Sequence, residues 1–200
     1  MKYVAIFLVS LYAGASYADS HCVKGEIDYF SCQLENSKVV SVCGTRLKDS
    51  ETYEEIDGAW IQYRIGRINQ IEFVFPESRT DSTTKFEGSD FHPHGEEHSV
   101  LDLRFINHNA LYSIALVSGN RLTGSVSAEL NHKLSAHSCR GTIKSSYWES
   151  FRELIWFISA RNGQIFSTSS IKNMTGNNTA NPSINTDWRD KAAPASYVKR

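Results

Sequence analysis

The pattern that most restricts how this 200-residue chain can fold is alternation. Apolar and polar residues change places along short runs, and each run ends in turn-forming residues. In residues 59–65, Ile61, Tyr63 and Ile65 share one face while Trp60, Gln62 and Arg64 share the other. Residues 66–69 then turn the chain into 70–75, where Ile71, Phe73 and Phe75 line up and Pro76, which has no backbone donor, ends the run. A period of two is that of a half-buried strand. Further runs span 26–33, 38–45, 83–91, 99–106, 111–117, 122–130 and 133–142, with turn-formers at 34–37, 107–109, 118–120 and 131–132. Nine short strands joined in this way predict a mainly β fold: an antiparallel meander of eight or nine strands forming a barrel or sandwich.

Residues 146–160 break the alternation. Tyr147, Trp148, Phe151, Leu154, Ile155 and Ile158 recur at helical spacing, the stripe of one C-terminal amphipathic helix that plugs a barrel mouth or lies across a sheet. Ser146 and Glu149 have the spacing of a capping box, and Gly163 can end the helix in a left-handed cap.

The two ends of the chain differ from this body. Residues 1–18 read as a secretory signal peptide: Lys2 precedes an almost wholly apolar stretch, and Ser16 and Ala18 supply the small residues of a cleavage site. Residues 164–200 are rich in Ser, Thr and Asn and poor in large apolar side chains, which predicts a polar tail without a packed core. Asn173 and Asn177 each begin a glycosylation sequon there. The β domain is thus expected over 19–163. Beyond the leader, no stretch approaches the roughly 20 apolar residues of a membrane span. The formal net charge of −1, with no basic block, argues against a nucleic-acid partner, whose phosphates must be neutralised.

An exported chain meets oxidising conditions, so Cys22, Cys32, Cys43 and Cys139 are expected as two disulfides. Three connectivities are open. Cys22, Cys32 and Cys43 crowd near the start, so one bridge must run from that cluster to Cys139 if both form. Closing so long a loop stabilises by about 4 kcal/mol in the chain-entropy model. None of the spacings is the short C-x2–4-C of a structural zinc site.

Three groups of residues are candidates for a site. The acidic insertion 46–57 carries Glu51, Tyr53, Glu54 and Glu55 among five acids and two bases, a surface that suits a basic protein partner. Arg64 and Arg67 lie beside Trp60 around one hairpin, a combination that can hold an anionic or aromatic group. His92, His94 and His98 cluster between two strands, and neutral imidazoles suit zinc, copper or nickel. His94, Glu97 and His98 also match the H-x-x-E-H order of a metalloprotease class, but Pro93 and Gly95 leave hardly a helical turn on which that chemistry depends. No G-x-S-x-G elbow or phosphate-cradling glycine loop is present. The adjacent acid pairs Glu54/Glu55 and Glu96/Glu97 point opposite ways if extended. The chain is therefore expected not to be an enzyme and to need no cofactor.

Tyr29, Phe30, Ser31 and Cys32, the run 38–43, the run 61–67, the run 71–76, and Leu103, Arg104 and Phe105 followed by Tyr112 occur in a recognisable order. Together they resemble a family of small uncharacterised exported proteins of Gram-negative bacteria, over roughly residues 22–141. The resemblance implies a periplasmic setting and a β-rich body, with the acidic insertion, helix and tail as additions; it brings no activity. An architectural analogy leads to periplasmic lysozyme inhibitors, whose loops carry Ser and Gly before a Tyr. Glu87, Gly88, Ser89, Asp90 and Phe91 echo that loop with the order changed, and no functional residue transfers. Two functions are then expected to compete. One is a periplasmic binding protein that inhibits, or gives immunity against, an envelope-targeting enzyme by occlusion. The other is an envelope module that binds a metal or small ligand through its His92–His98 loop or its interior.

Overall fold

A computed structural model of the chain describes residues 20–92 and 98–162. The stretch expected as a signal peptide (1–18), His94, Gly163, both sequons and the segment expected as a tail lie outside the described residues.

The alternating runs form strands in chain order: β1 (Ile27–Gln33), β2 (Val39–Gly44), β3 (Ile61–Arg67), β4 (Gln70–Phe75), β5 (Glu87–Phe91), β6 (Val100–Asn107), β7 (Ala110–Val117), β8 (Thr123–Leu130) and β9 (Lys133–Ser138). Within each sheet, neighbours in sequence are neighbours in space. One antiparallel sheet has the order β1-β2-β3-β4 and the other β5-β6-β7-β8-β9. Turn chemistry explains why the meander is so regular. His108 and Asn109 join β6 to β7 with φ of 47° and 64°, and Asn131 and His132 join β8 to β9 with 49° and 61°. Two successive left-handed residues make the turn whose twist matches paired strands, and Asn tolerates that conformation better than most.

The barrel alternative is not what forms. The sheets do not close on one another; their inner faces pack together instead. Tyr63 and Phe75 of the first sheet meet Phe105 of the second at ring-centroid distances of 5.1 and 4.3 Å, and Phe73 stacks on Tyr112 at 5.5 Å. A short seam joins one pair of edges. Leu34 bridges to Cys139, and the amides of Glu35 and Arg140 bond across to Ser138 and Gln33.

The run expected as a strand over 83–91 starts four residues late. Ser82–Lys85 is a 3₁₀ turn on the crossover between the sheets. It is held by burial of Ser82 and Thr83 and by the Ser82 hydroxyl, which accepts the amide of Ile61 at 2.9 Å. A local β pattern lost there to a tertiary anchor.

The helix, α1 (Ser146–Asn162), buries Tyr147, Phe151, Leu154, Ile155, Phe157 and Ile158 against β5, β1 and β6. Gly88 lets it approach: a Cβ there would lie 2.9 Å from the Ile155 carbonyl oxygen. Polar ties fix its position. The Tyr147 hydroxyl donates to Asp28 at 2.7 Å, the Ser159 hydroxyl to the Gly88 carbonyl, and the Asn162 amide to the carbonyls of Thr83 and Phe86. Glu149 does not close a capping box with Ser146; it pairs with Arg152 one turn on.

Both disulfides form. Cys22–Cys43 ties the N-terminal segment to β2, and Cys32–Cys139 ties β1 to the end of β9 across 107 positions. The long bridge thus runs from the middle cysteine of the early cluster. Two disulfides are consistent with an extracytoplasmic protein, and no described helix is long and apolar enough to cross a membrane.

Candidate functional site

The acidic insertion leaves β2 and returns to β3 as a braced loop. Leu47, 5% exposed, anchors its stem, and its carbonyl accepts the amide of Ile56 at 3.0 Å. The backbones of Lys48 and Glu55 form an isolated antiparallel β-bridge, and the Asp49 amide donates to the Glu54 carbonyl. One Asp49 carboxylate oxygen accepts the amides of Thr52 and Glu51, each at 2.9 Å. Those bonds, Thr52 first, hold the Asp49 carboxyl below the usual carboxylate range. The result is a fixed tip on which Glu51, Tyr53 and Glu54 all face solvent. Tyr53 is 76% exposed with φ of 59°, a left-handed backbone that turns the chain at the tip. Ile56 is exposed beside it. Glu55 is committed differently, with Arg161 at the end of α1 lying 3.4 Å from its carboxylate.

Arg64 and Arg67 are not brought together as a recognition pair. Arg67 is exposed at the end of β3, but Arg64 is buried on the outer face of the first sheet, beneath the N-terminal segment. Its guanidinium donates to both oxygens of Glu26, at 2.6 and 2.9 Å, and also to the His21 carbonyl and the Gln62 side chain. Arg79 adds a second contact to Glu26 at 3.0 Å and lies over the Trp60 ring, 3.9 Å from its centroid. Burial pushes the Glu26 carboxyl up, but hydrogen bonds from Arg64 and the Val23 amide, with the charges of Arg64 and Arg79, more than offset it and hold it below its usual range. His21 completes the cover, its amide donating to Ser41 and its ring contacting the carbonyls of Val39 and Gly66. Alternation assigned Arg64 to the outer face correctly. It could not show that this face is itself covered.

The histidine group is only partly described. His92 is exposed, 3.6 Å from Asp90, and His98 is half-buried. Among the described residues, the one cluster with metal-ligand reach is Cys22, Glu26 and Cys43. Its two sulfurs are joined in a disulfide, so neither offers a thiolate. The stretch that echoed an inhibitor loop, Glu87–Phe91, is strand β5 pressed under α1, where Gly88 and Ser89 are buried.

Sequence reasoning missed Glu26 and Arg79, because nothing local marks a carboxylate whose partners are 38 and 53 positions away. It also missed the space between the sheets. Near the start of β7 and the β8–β9 hairpin the inner faces part around a cavity of about 290 Å³, with Tyr63, Ile65 and Phe73 on one wall and Tyr112, Val126 and Ala128 on the other. Compared with family models, characterised proteins and solved structures, the chain finds no match.

Proposed function

We propose that this is an exported binding protein of the cell envelope that inhibits, or gives immunity against, an enzyme attacking the envelope. A lysozyme-like hydrolase or an antibacterial effector is the partner, and occlusion is the mechanism. The supporting observation is the braced acidic loop. Glu51 and Glu54 present negative charge on either side of the exposed Tyr53, and the Asp49 bonds and the buried Leu47 stem fix the backbone that carries them. A loop already ordered loses little conformational freedom on docking, which favours affinity. Its charge steers a basic partner, and Tyr53 is the kind of amphipathic anchor that fills a cleft. The reading assigns the chain no bond-breaking step and no cofactor.

The test measures inhibition of basic, lysozyme-like hydrolases on peptidoglycan. One of the panel is expected to be inhibited, with affinity falling as salt rises. The double variant Glu51→Lys/Glu54→Lys and the single variant Tyr53→Ala should each weaken that inhibition at least about tenfold. Inhibition that survives the charge reversal would overturn the assignment of this surface.

A further inference from the structure

The cavity between the sheets lies apart from the acidic loop. Three buried tyrosines make the case by comparison. Tyr29 donates its hydroxyl to the Thr45 carbonyl at 2.6 Å, and Tyr147 donates to Asp28 at 2.7 Å. Tyr63 is only 1% exposed and lines the cavity, yet its hydroxyl makes no hydrogen bond to any described residue. A hydroxyl that bonds to no described protein group and borders an open cavity is free to donate to whatever enters it. Burial, with the neighbouring Tyr112 phenol, raises the Tyr63 phenol well above its ordinary value, so it keeps its proton and acts as a donor. The walls nearest it are apolar and aromatic, with half-buried Phe73 and Tyr112 beside Ile65 and Val126, and the β8–β9 hairpin adds Ser127, Ser135 and His137 to the lining. At the mouth, Lys38 is paired with Glu72, so that cation is already neutralised.

We propose that this cleft binds a small uncharged ring compound bearing an oxygen acceptor, whose oxygen accepts the Tyr63 hydroxyl while its ring lies among Ile65, Phe73, Tyr112 and Val126. A volume of about 290 Å³ suits a ligand of one or two rings, at the lower end of small-molecule sites. An apolar body with one placed polar contact is the usual chemistry of such sites.

The test is a two-dimensional amide NMR titration of the intact protein with acetophenone, which has a carbonyl acceptor, and with ethylbenzene, which has the same ring and shape but none. Acetophenone is expected to shift the amides of Ile65, Tyr112, Val126 and His137 saturably and to bind about fivefold tighter than ethylbenzene. Tyr63→Phe should erase that difference while leaving ethylbenzene binding unchanged. Ala128→Trp, which fills the cavity from β8, should remove both. Equal affinity of the two probes for the wild type, unsaturated or scattered shifts up to about 10 mM probe, or acetophenone binding that survives Tyr63→Phe unchanged would each overturn the proposal. The cleft and the acidic loop share no residue, so either reading can fail alone.

Discussion

The N-terminal segment around His21 to Glu26 and the loop 46–58 both bring charged residues to the four-stranded sheet, and both are linked to β2. The first places Glu26 against Arg64 and Arg79, with the pair to Arg64 almost wholly removed from water, and locks the arrangement with Cys22–Cys43. The second leaves Glu51 and Glu54 in solvent and spends its internal bonds on shaping its own backbone. The same residue types therefore serve opposite ends. A charge under cover is part of the protein's own scaffold and is costly to leave unmatched, whereas a charge held out on a braced turn contributes little to stability and remains available to another molecule.

The sharpest way to break this comparison is to remove one partner from each side. Glu26→Ala leaves the Arg64 guanidinium buried without its carboxylate and should destabilise the protein by about 4 kcal/mol, read from urea unfolding. A loss under about 1 kcal/mol would mean that the covered pair is no more structural than the loop. Replacing Cys22 and Cys43 together by Ala should cost about 3 kcal/mol in the same measurement, because the strap then opens a loop of 21 positions in the unfolded chain.

Acid offers a gentler probe. The Glu26 carboxyl is lowered in the folded protein from an ordinary value of 4.5, so its contribution is complete above that value and fades as pH falls through its lowered one. The stability gap between wild type and Glu26→Gln should be constant near neutrality and narrow below about pH 4.5; a gap that widens on acidification would contradict the assigned sign. The smallest effect is expected on the other side of the comparison. Glu51→Lys/Glu54→Lys should change stability by no more than about 0.5 kcal/mol while weakening partner inhibition.

Much of the fold was legible because its determinants are local. Period-two runs fixed which residues of β3 face inward, and the Asn-containing turns at 108–109 and 131–132 fixed where hairpins reverse. Of the apolar stripe, Tyr147, Phe151, Leu154, Ile155 and Ile158 lie on the buried face of α1, joined by Phe157, while Trp148 is half-buried. What alternation cannot encode is what lies over a face once it is formed. Ile61, Tyr63 and Ile65 fall on one face and Arg64 on the other whether or not a strap covers Arg64, so its role in a scaffold was invisible. The choice between a closed barrel and two facing sheets was likewise open, since it turns on the crossover at 76–86, where the Ser82 hydroxyl captures the Ile61 amide from 21 positions away. Of the candidate surfaces, the loop was readable from its composition, while the cleft arises only when β3, β4, β7 and β8 come together.

The bridge between Cys32 and Cys139 has a consequence for how the chain matures. A polypeptide is made from its amino end, so three thiols are present together long before the fourth is synthesised. Cys32 belongs to a partner 107 positions downstream, and in the interval Cys22 and Cys43 are its nearest oxidation partners. Any early crosslink that captures Cys32 has to be reopened by thiol–disulfide exchange before the last strand can be sewn to the first. The yield of correctly crosslinked protein should accordingly depend on a catalyst that reshuffles bridges, more than on one that merely makes them.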